Sequence, residues 1–186
     1  MTTSTTTQSP ISFKANVLRL PRKGMPVVID ADEGQRAALA DEHDLLSVER
    51  LHADLLVTPW KSDGVRVTGH VEAEIRQACV VTLEPLAASI REDIDAIYIP
   101  EGSSLARRVA DPSGEILIDP DGPDAPELFA GDMIDVGATA EEFFALGIDP
   151  YPRSSSASKA VATSTAADPP ETVSPFARLR TLKPEG

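Results

Sequence analysis

The chain is poor in cysteine and in aromatic residues, and each shortage excludes a class of protein. One cysteine in 186 residues permits no intrachain disulfide and no cysteine cluster for zinc. No apolar run approaches the roughly 20 residues needed to cross a bilayer. The opening segment, MTTSTTTQSP, lacks the basic and apolar parts of a secretory signal. These shortages predict a soluble, cytoplasmic protein with no membrane partner.

Basic charge is also scarce, and the acidic excess lies in one stretch. The chain has 30 acidic and 17 basic residues, which gives a formal net charge of −13. Between Glu92 and Pro150 there are 15 acidic and 2 basic residues, whereas the rest of the chain has 15 of each. Such a stretch repels nucleic-acid phosphates. It is either a solvated surface or a contact surface for a basic protein.

Composition divides the chain into one domain with tails. Residues 1–10 are small, polar and rich in threonine, which predicts disorder. Residues 11–153 form a single domain, in which 102–131 is an acidic loop rich in proline and glycine. The Ser-, Ala- and Thr-rich residues 154–174 predict a flexible linker, and 175–186 form a short C-terminal motif.

Alternating apolar residues predict the sheet of this domain. Apolar side chains recur at every second position in three runs, at 51–57, 65–75 and 86–98. This period indicates half-buried antiparallel strands. Turn residues separate the runs at Pro59–Gly64 and at Glu84-Pro85, so the strands form a meander. Shorter extended segments are predicted at Ile11–Leu20, at Met25–Asp30 and, as an edge strand, at Ile116–Ile118, within the acidic loop.

Two helices are predicted to cover the apolar face of the meander. The first begins after Asp32, because Gln35 stands three residues later as in a capping box. The second has one apolar stripe, formed by Val136, Ala140, Phe143, Phe144 and Ile148. The predicted class is α+β, with an antiparallel β-meander, one face covered by two helices, and disordered tails.

The sparse basic residues indicate where a phosphate could bind. They fall into an early group, which includes Arg22 and Lys23, and a late group of Arg178, Arg180 and Lys183. Trp60 either stacks on a base or covers the edge of the sheet. Phe176 begins an apolar spacing with Leu179 and Leu182, which is typical of a docking peptide but also occurs in idle tails.

No constellation indicates catalysis or a bound metal. Cys79 continues the apolar face of the second run through Val81 and Leu83, so it is interpreted as a core residue. If Leu55 pairs with Val67, His52 and His70 lie opposite each other on the polar face. They form either a weak two-ligand metal site or, as favoured here, two solvated histidines. We therefore predict no enzyme, no cofactor and no metal.

Several segments together resemble the YceD family of large ribosomal RNA subunit accumulation proteins, in an alphaproteobacterial-like branch. They are Gln77–Pro85, Ile134–Gly137, Asp149–Arg153 and Pro175–Lys183, joined by Arg19–Pro21 and Leu51–Trp60. Thr82 stands where many family members have a second cysteine. Any metal or redox role of a cysteine pair is therefore excluded in this chain.

The resemblance implies a role in the synthesis, processing or stability of large-subunit (23S) rRNA. The expected partners are precursor rRNA or ribosomal proteins, with a basic protein at the acidic stretch. Under this hypothesis the protein is a non-enzymatic ribosome biogenesis factor. The candidate contacts are Arg22, Lys23, Trp60, Phe176, Arg178, Arg180 and Lys183. The alternative is an acidic protein–protein adaptor without RNA contact.

Overall fold

A computed structural model of the chain describes residues 8–103 and 126–154. In chain order its elements are β1 (Lys14–Asn16), β2 (Met25–Asp30), α1 (Glu33–Glu42), β3 (Ser47–Trp60), β4 (Gly64–Ala78), β5 (Pro85–Pro100), β6 (Glu127–Phe129), β7 (Met133–Asp135) and α2 (Val136–Leu146). The predicted edge strand Ile116–Ile118, most of the acidic loop and all but the first residue of the linker lie outside the described residues. So do the C-terminal motif and residues 1–7.

The main sheet confirms the predicted antiparallel meander. Its strand order is β2-β3-β4-β5-β6, and β3, β4 and β5 are consecutive antiparallel neighbours. The sheet is wider than the three predicted runs. β2 pairs with β3 along one edge, and β6 pairs with β5 in parallel at the other. With two helices beside the sheet, the class is α+β, as predicted.

The β3–β4 hairpin has a different register from the one considered above. Trp60 pairs with Gly64 around a three-residue turn, which makes Gly69 the partner of Leu55. The cross-strand partners on the polar face change as well, so that His52 lies opposite Glu72 rather than His70. The two-histidine metal site is therefore wrong, because it required a pairing that the tight turn does not produce.

A β-bulge at Glu49 explains why β3 buries its side chains in two phases. The pairing with β4 shifts between Val48 and Arg50. A bulge adds one residue to one strand, so the side chains on either side of it change phase. Val48 and Leu51 are therefore both buried, although they are three positions apart. This adds one more apolar side chain at the start of the strand to the core.

Both helices pack on the same face of the sheet. Alternate residues of β3, β4 and β5 point into this core, where they meet Leu39 of α1 and Phe144 of α2. His43, the residue that ends α1, joins the two helices. Its Nε2 lies 3.1 Å from Glu141 Oε1, and its ring meets the Phe144 ring edge-on at 5.4 Å between centroids. The predicted stripe of α2 is confirmed, with Val136, Ala140 and Phe144 fully buried.

The first predicted strand is much shorter than expected. β1 covers only Lys14–Asn16, and the chain then turns through a 3-10 helix at Val17–Arg19. The Asn16 side chain causes this turn, because its Oδ1 accepts a hydrogen bond from the amide of Leu18. β1 also pairs with β7 in a separate two-stranded sheet. Within the predicted loop region, the structure places a strand at Glu127–Phe129.

The Ile134–Gly137 segment binds residues Ile11–Phe13 to the beginning of α2. Asp135 caps the helix by accepting from the amide of Ala138, and it also accepts from the amide of Phe13 at 2.9 Å. The Ile11–Phe13 backbone passes so close to α2 that a Cβ on Gly137 would lie 2.0 Å from the Ile11 carbonyl oxygen. Glycine at position 137 is therefore required by packing.

Candidate functional site

The sheet register brings the early basic residues to the β3–β4 hairpin. β2 begins at Met25, which pairs with Val57 near the end of β3. The turn before it, which carries Arg22 and Lys23, therefore lies at the same end of the sheet as Trp60. Gly24 closes this turn with φ +87°, and a Cβ there would meet the Thr58 side chain at 2.8 Å. Glycine permits both the turn and the close approach.

Trp60 and Lys61 form a pair at the tip of the hairpin. The Lys61 ammonium lies 4.0 Å from the centre of the Trp60 ring, within the range of a cation–π interaction. The ring also lies over the backbone of Gly64, where an added Cβ would be 2.8 Å from Cε3. Trp60 thus covers its own hairpin beside Gly64 and remains partly exposed. We name Arg22, Lys23, Trp60 and Lys61 the basic corner.

Three arginines on the face of the sheet opposite the core are neutralised by carboxylates. Arg66 donates to both oxygens of Asp95, at 2.7 and 2.5 Å. These bonds raise the pKa of Arg66 and lower the pKa of Asp95. The other two pairs are Arg76 with Glu49 and Arg91 with Glu72. A phosphate could bind these cations only by displacing a carboxylate.

The cations of the basic corner are in a different state. Within residues 8–103 and 126–154, Arg22, Lys23 and Lys61 form no ion pair with a carboxylate. Their charge is therefore uncompensated, although this part of the chain is acidic as a whole. Lys61 lies on the Trp60 ring, and the other two cations lie at the same end of the sheet. Unpaired cations and an exposed aromatic ring are the groups that single-stranded nucleic acids contact.

His52 lies between two carboxylates on the open face of the sheet. Its Nδ1 is 2.6 Å from Asp30 and its Nε2 is 3.0 Å from Asp54. The hydrogen bond to Asp30, followed by that to Asp54, raises the pKa of His52 above its ordinary value of 6.5. This histidine, like Arg66, Arg76 and Arg91, has its charge balanced by carboxylates of the protein.

The loop after β4 buries Cys79 but exposes the apolar residues that follow. The strand ends at Ala78, and the amide of Leu83 donates to the Cys79 carbonyl at 2.9 Å. Leu83 has φ +60° and is 77% exposed, and Val81 is also exposed. The prediction that Val81 and Leu83 continue the buried face is wrong, because the chain turns out of the strand. The burial of Cys79 itself is confirmed.

The sulfur of Cys79 lies in a cradle of hydrogen-bond donors under this loop, outside the main core. Four groups donate to the sulfur and lower its pKa. The Thr82 hydroxyl lowers it most, followed by the amide of Ser154 at 3.4 Å and then the amides of Thr82 and Val81. Donors stabilise a thiolate, and they lower the pKa of Cys79 from 9.0 to about 6. The Thr82 hydroxyl is thus a hydrogen-bond donor to the Cys79 sulfur.

Two of the segments that resemble the family meet at this loop. Gln77 Nε2 donates to the Asp149 carbonyl at 2.9 Å, and the amide of Val80 donates to the Pro152 carbonyl at 2.9 Å. Both contacts lie at the end of the sheet remote from the basic corner. Four apolar side chains of these segments are exposed: Val80, Val81, Leu83 and Tyr151. We name them the loop patch.

The structure locates three of the seven predicted site residues. Arg22, Lys23 and Trp60 lie together in the basic corner, whereas Phe176, Arg178, Arg180 and Lys183 lie outside the described residues. Lys61 belongs to the corner and was missed by the sequence analysis. The available signal was a lysine directly after a hairpin tryptophan.

The described residues contain no helix that is long and apolar enough to span a bilayer. In the same part of the chain, no group of three or more His, Cys, Asp or Glu side chains could hold a metal ion.

Comparison with protein families matches residues 67–183 to the family described as Large ribosomal RNA subunit accumulation protein YceD. Searches of curated proteins and of solved structures found no match. The family match covers well over half of the chain and includes most of β4, all of β5 and α2, and residues 175–183 of the C-terminal motif. The basic corner precedes the matched range. The match establishes that the chain belongs to the YceD family.

Proposed function

We propose that this protein is a non-enzymatic factor that supports the accumulation of large-subunit rRNA, by holding precursor 23S rRNA or an early assembly particle. The family's description supports the role in ribosome biogenesis. Such a factor acts in the cytoplasm, where large-subunit particles assemble, and needs no cofactor. Its domain comprises residues 11–153, with 154–174 as a linker to the motif at 175–186.

The basic corner is the proposed RNA contact within the domain. The observation that supports it is the distribution of ion pairs: Arg66, Arg76 and Arg91 are neutralised, whereas Arg22, Lys23 and Lys61 are not. Binding of a phosphate releases counterions only where a cation is free to be neutralised by it. Trp60 would stack on a base if Lys61 moved from its ring to a phosphate. Arg178, Arg180 and Lys183 of the C-terminal motif would add phosphate contacts.

The acidic surfaces would then set the orientation of the protein on its target. The open face of the sheet carries Asp54, Glu74 and Asp93, which have no arginine or lysine partner among the described residues. Phosphates are repelled from such a surface, so RNA is directed toward the corner. The same surface would suit a basic protein, such as a ribosomal protein bound to the same particle.

Ultraviolet crosslinking in growing cells tests this function. We expect crosslinks from peptides that contain Lys23, Trp60 or Lys61, and the attached RNA should come from large-subunit precursors. The matched control is a variant with Arg22, Lys23 and Lys61 replaced by glutamine, which should lose most of this crosslinking while remaining folded. Crosslinks to proteins alone would overturn the RNA contact.

A second candidate function is a protein–protein adaptor. The observation that favours it is the loop patch, because Leu83 and Tyr151 are 77% and 72% exposed. Exposed apolar groups that lie close together are characteristic of protein interfaces. The two functions differ in their response to salt. Apolar docking changes little between low and moderate salt, whereas RNA binding weakens steeply.

A further inference from the structure

A cavity of about 180 Å³ opens between α2 and the free edge of β5. It lies just before the point where β6 begins to pair with β5 at Tyr98. Its lining combines apolar groups with carboxylates: Asp95, Ala96, Ile97, Glu127, Glu142, Phe143 and Leu146. We name it the α2 cavity. Leu146 is 73% exposed, so an apolar surface is available beside the carboxylates.

Two of the three carboxylates that line the α2 cavity have no cation partner among the described residues. Asp95 is bound by Arg66, but Glu127 and Glu142 form no ion pair within the described part of the chain. Burial raises the pKa of Glu127, and the negative charge of Glu142 raises it further. Two carboxylates that repel each other beside apolar side chains favour a ligand with both positive charge and apolar groups.

The C-terminal motif of this chain has the matching chemistry. Pro175–Lys183 contains three cations, Arg178, Arg180 and Lys183, and its apolar residues are spaced three apart, at Phe176, Leu179 and Leu182. A segment of this composition can place its apolar groups in a groove and its cations on the carboxylates around it.

The length of chain before the motif permits this contact. The described residues reach Ser154, which lies beside Cys79, toward the opposite end of β4 and β5 from Asp95–Ile97 of the cavity. Residues 155–174 connect it to the motif, and a segment of that length can extend to roughly 66–72 Å, enough to cross the sheet. A Ser-, Ala- and Thr-rich linker of that length has a root-mean-square span of about 25 Å. Such a tether produces an effective concentration on the order of millimolar, so even a weak contact would be populated.

The extent of the family match links the cavity to the motif. The match begins at Val67 and ends at Lys183, so it includes every residue of the cavity and residues 175–183 of the motif. The three unpaired cations of the basic corner lie outside it. The motif is therefore part of what the chain shares with its family, together with the surface that complements it.

We propose that the C-terminal motif Pro175–Lys183 docks in cis on the α2 cavity, with its arginines beside Glu127 and Glu142 and its apolar residues on Phe143 and Leu146. The inference goes beyond the proposed function, because docked cations are withheld from phosphate. RNA binding through the motif then competes with docking, while the basic corner remains free.

Disulfide trapping in the full chain tests this docking without RNA. Leu146→Cys and Leu179→Cys are combined in a Cys79→Ser background, and the rate of intramolecular disulfide formation is measured under mild oxidation. Two control pairs combine Leu179→Cys with Val28→Cys, on the opposite face of the sheet, or with Leu83→Cys, in the loop patch. All three partner positions are exposed in the native protein. We expect the Leu146 pair to crosslink at least tenfold faster than either control.

A charge exchange tests the electrostatic part of the same proposal. Glu127→Lys with Glu142→Lys should slow trapping at least fivefold, and adding Arg178→Glu with Arg180→Glu should restore it. Asp41→Lys with Glu42→Lys, two exposed positions on α1, makes the same charge change and should leave the rate unaltered.

Each other outcome overturns the proposal. Equal rates for all pairs would show that the motif has no preferred contact. Faster trapping at Leu83 would place the motif on the loop patch, and disulfide-linked dimers would show that the motif binds a second copy. None of these outcomes depends on RNA, so the failure of this inference is distinguishable from the failure of the proposed function.

Discussion

The Lys61 ammonium lies 4.0 Å from the centre of the Trp60 ring, at the tip of the β3–β4 hairpin. An exposed cation–π pair of this kind contributes about 0.5–1 kcal/mol. The interaction holds a positive charge in a fixed place without neutralising it. It therefore prepares the basic corner for phosphate while the tryptophan keeps the hairpin covered.

Lys61→Ala should weaken RNA binding with little effect on stability. Losing one phosphate contact lowers the slope of log K against log salt by about 0.7–0.9. Because Trp60 is the single tryptophan of the chain, its fluorescence reports the same event, and RNA should quench it in the native protein. Arg91→Ala is the control, since Arg91 is already bound by Glu72. If RNA bound to the native protein without quenching this fluorescence, the role of the corner would be contradicted.

Gly137→Ala should destabilise the domain. The added Cβ would lie 2.0 Å from the Ile11 carbonyl oxygen, so the Ile11–Phe13 segment must move away from α2. Overpacking of this kind costs about 1–3 kcal/mol, measurable by urea unfolding. Gly102→Ala is the matched control, because an added Cβ there has no neighbour within 4 Å. Equal effects of the two substitutions would contradict the packing argument.

The contribution of His52 to stability should fall as pH rises. Hydrogen bonds to Asp30 and Asp54 raise its pKa above the ordinary 6.5, so the folded state binds the proton more tightly than the unfolded state does. The stabilisation is fully present below pH 6.5 and is lost as pH rises through the folded-state pKa. His52→Gln should therefore cost more at pH 5.5 than at pH 8.5, measured by urea unfolding. An NMR titration of Asp30→Asn should show a lower pKa for His52.

Thr82→Val should raise the pKa of Cys79. The Thr82 hydroxyl is the main donor that lowers this pKa from 9.0 to about 6. The resulting stabilisation is present above pH 9 and is lost as pH falls through about 6, opposite in sign to that of His52. Thiolate absorbance across a pH titration measures the shift, and Thr82→Ser, which keeps the hydroxyl, is the control. An unchanged titration in Thr82→Val would show that the backbone donors suffice.

The strands and helices could be predicted because the spacing of apolar residues within each element shows which of its side chains are buried. The alternation at Val65–Ile75 and the stripe from Val136 to Phe144 have this property, and both are confirmed. The β-bulge at Glu49 and the exposure of Leu83 do not. The bulge depends on the pairing of β3 with β4, and Leu83 is exposed because its amide bonds back to the Cys79 carbonyl in a turn. Periodicity shows neither.

The candidate site was harder to predict than the fold. Arg22 and Trp60 are 38 positions apart, and they share a corner only because Met25 pairs with Val57. Nor does the sequence reveal which arginines are neutralised. Asp95 is 29 positions from Arg66, and the ion pair forms because the register of β4 and β5 places them on the same face.

The salt dependence of RNA binding tests the central claim most directly. The binding of large-subunit precursor RNA is measured from low to moderate salt for Arg22→Ala with Lys23→Ala, and for Arg66→Ala with Arg76→Ala, which removes the same charge from neutralised sites. We predict that the corner variant lowers the slope of log K against log salt by about 1.4–1.8, while the control leaves it unchanged. Equal slopes for both variants and the native protein would contradict the account.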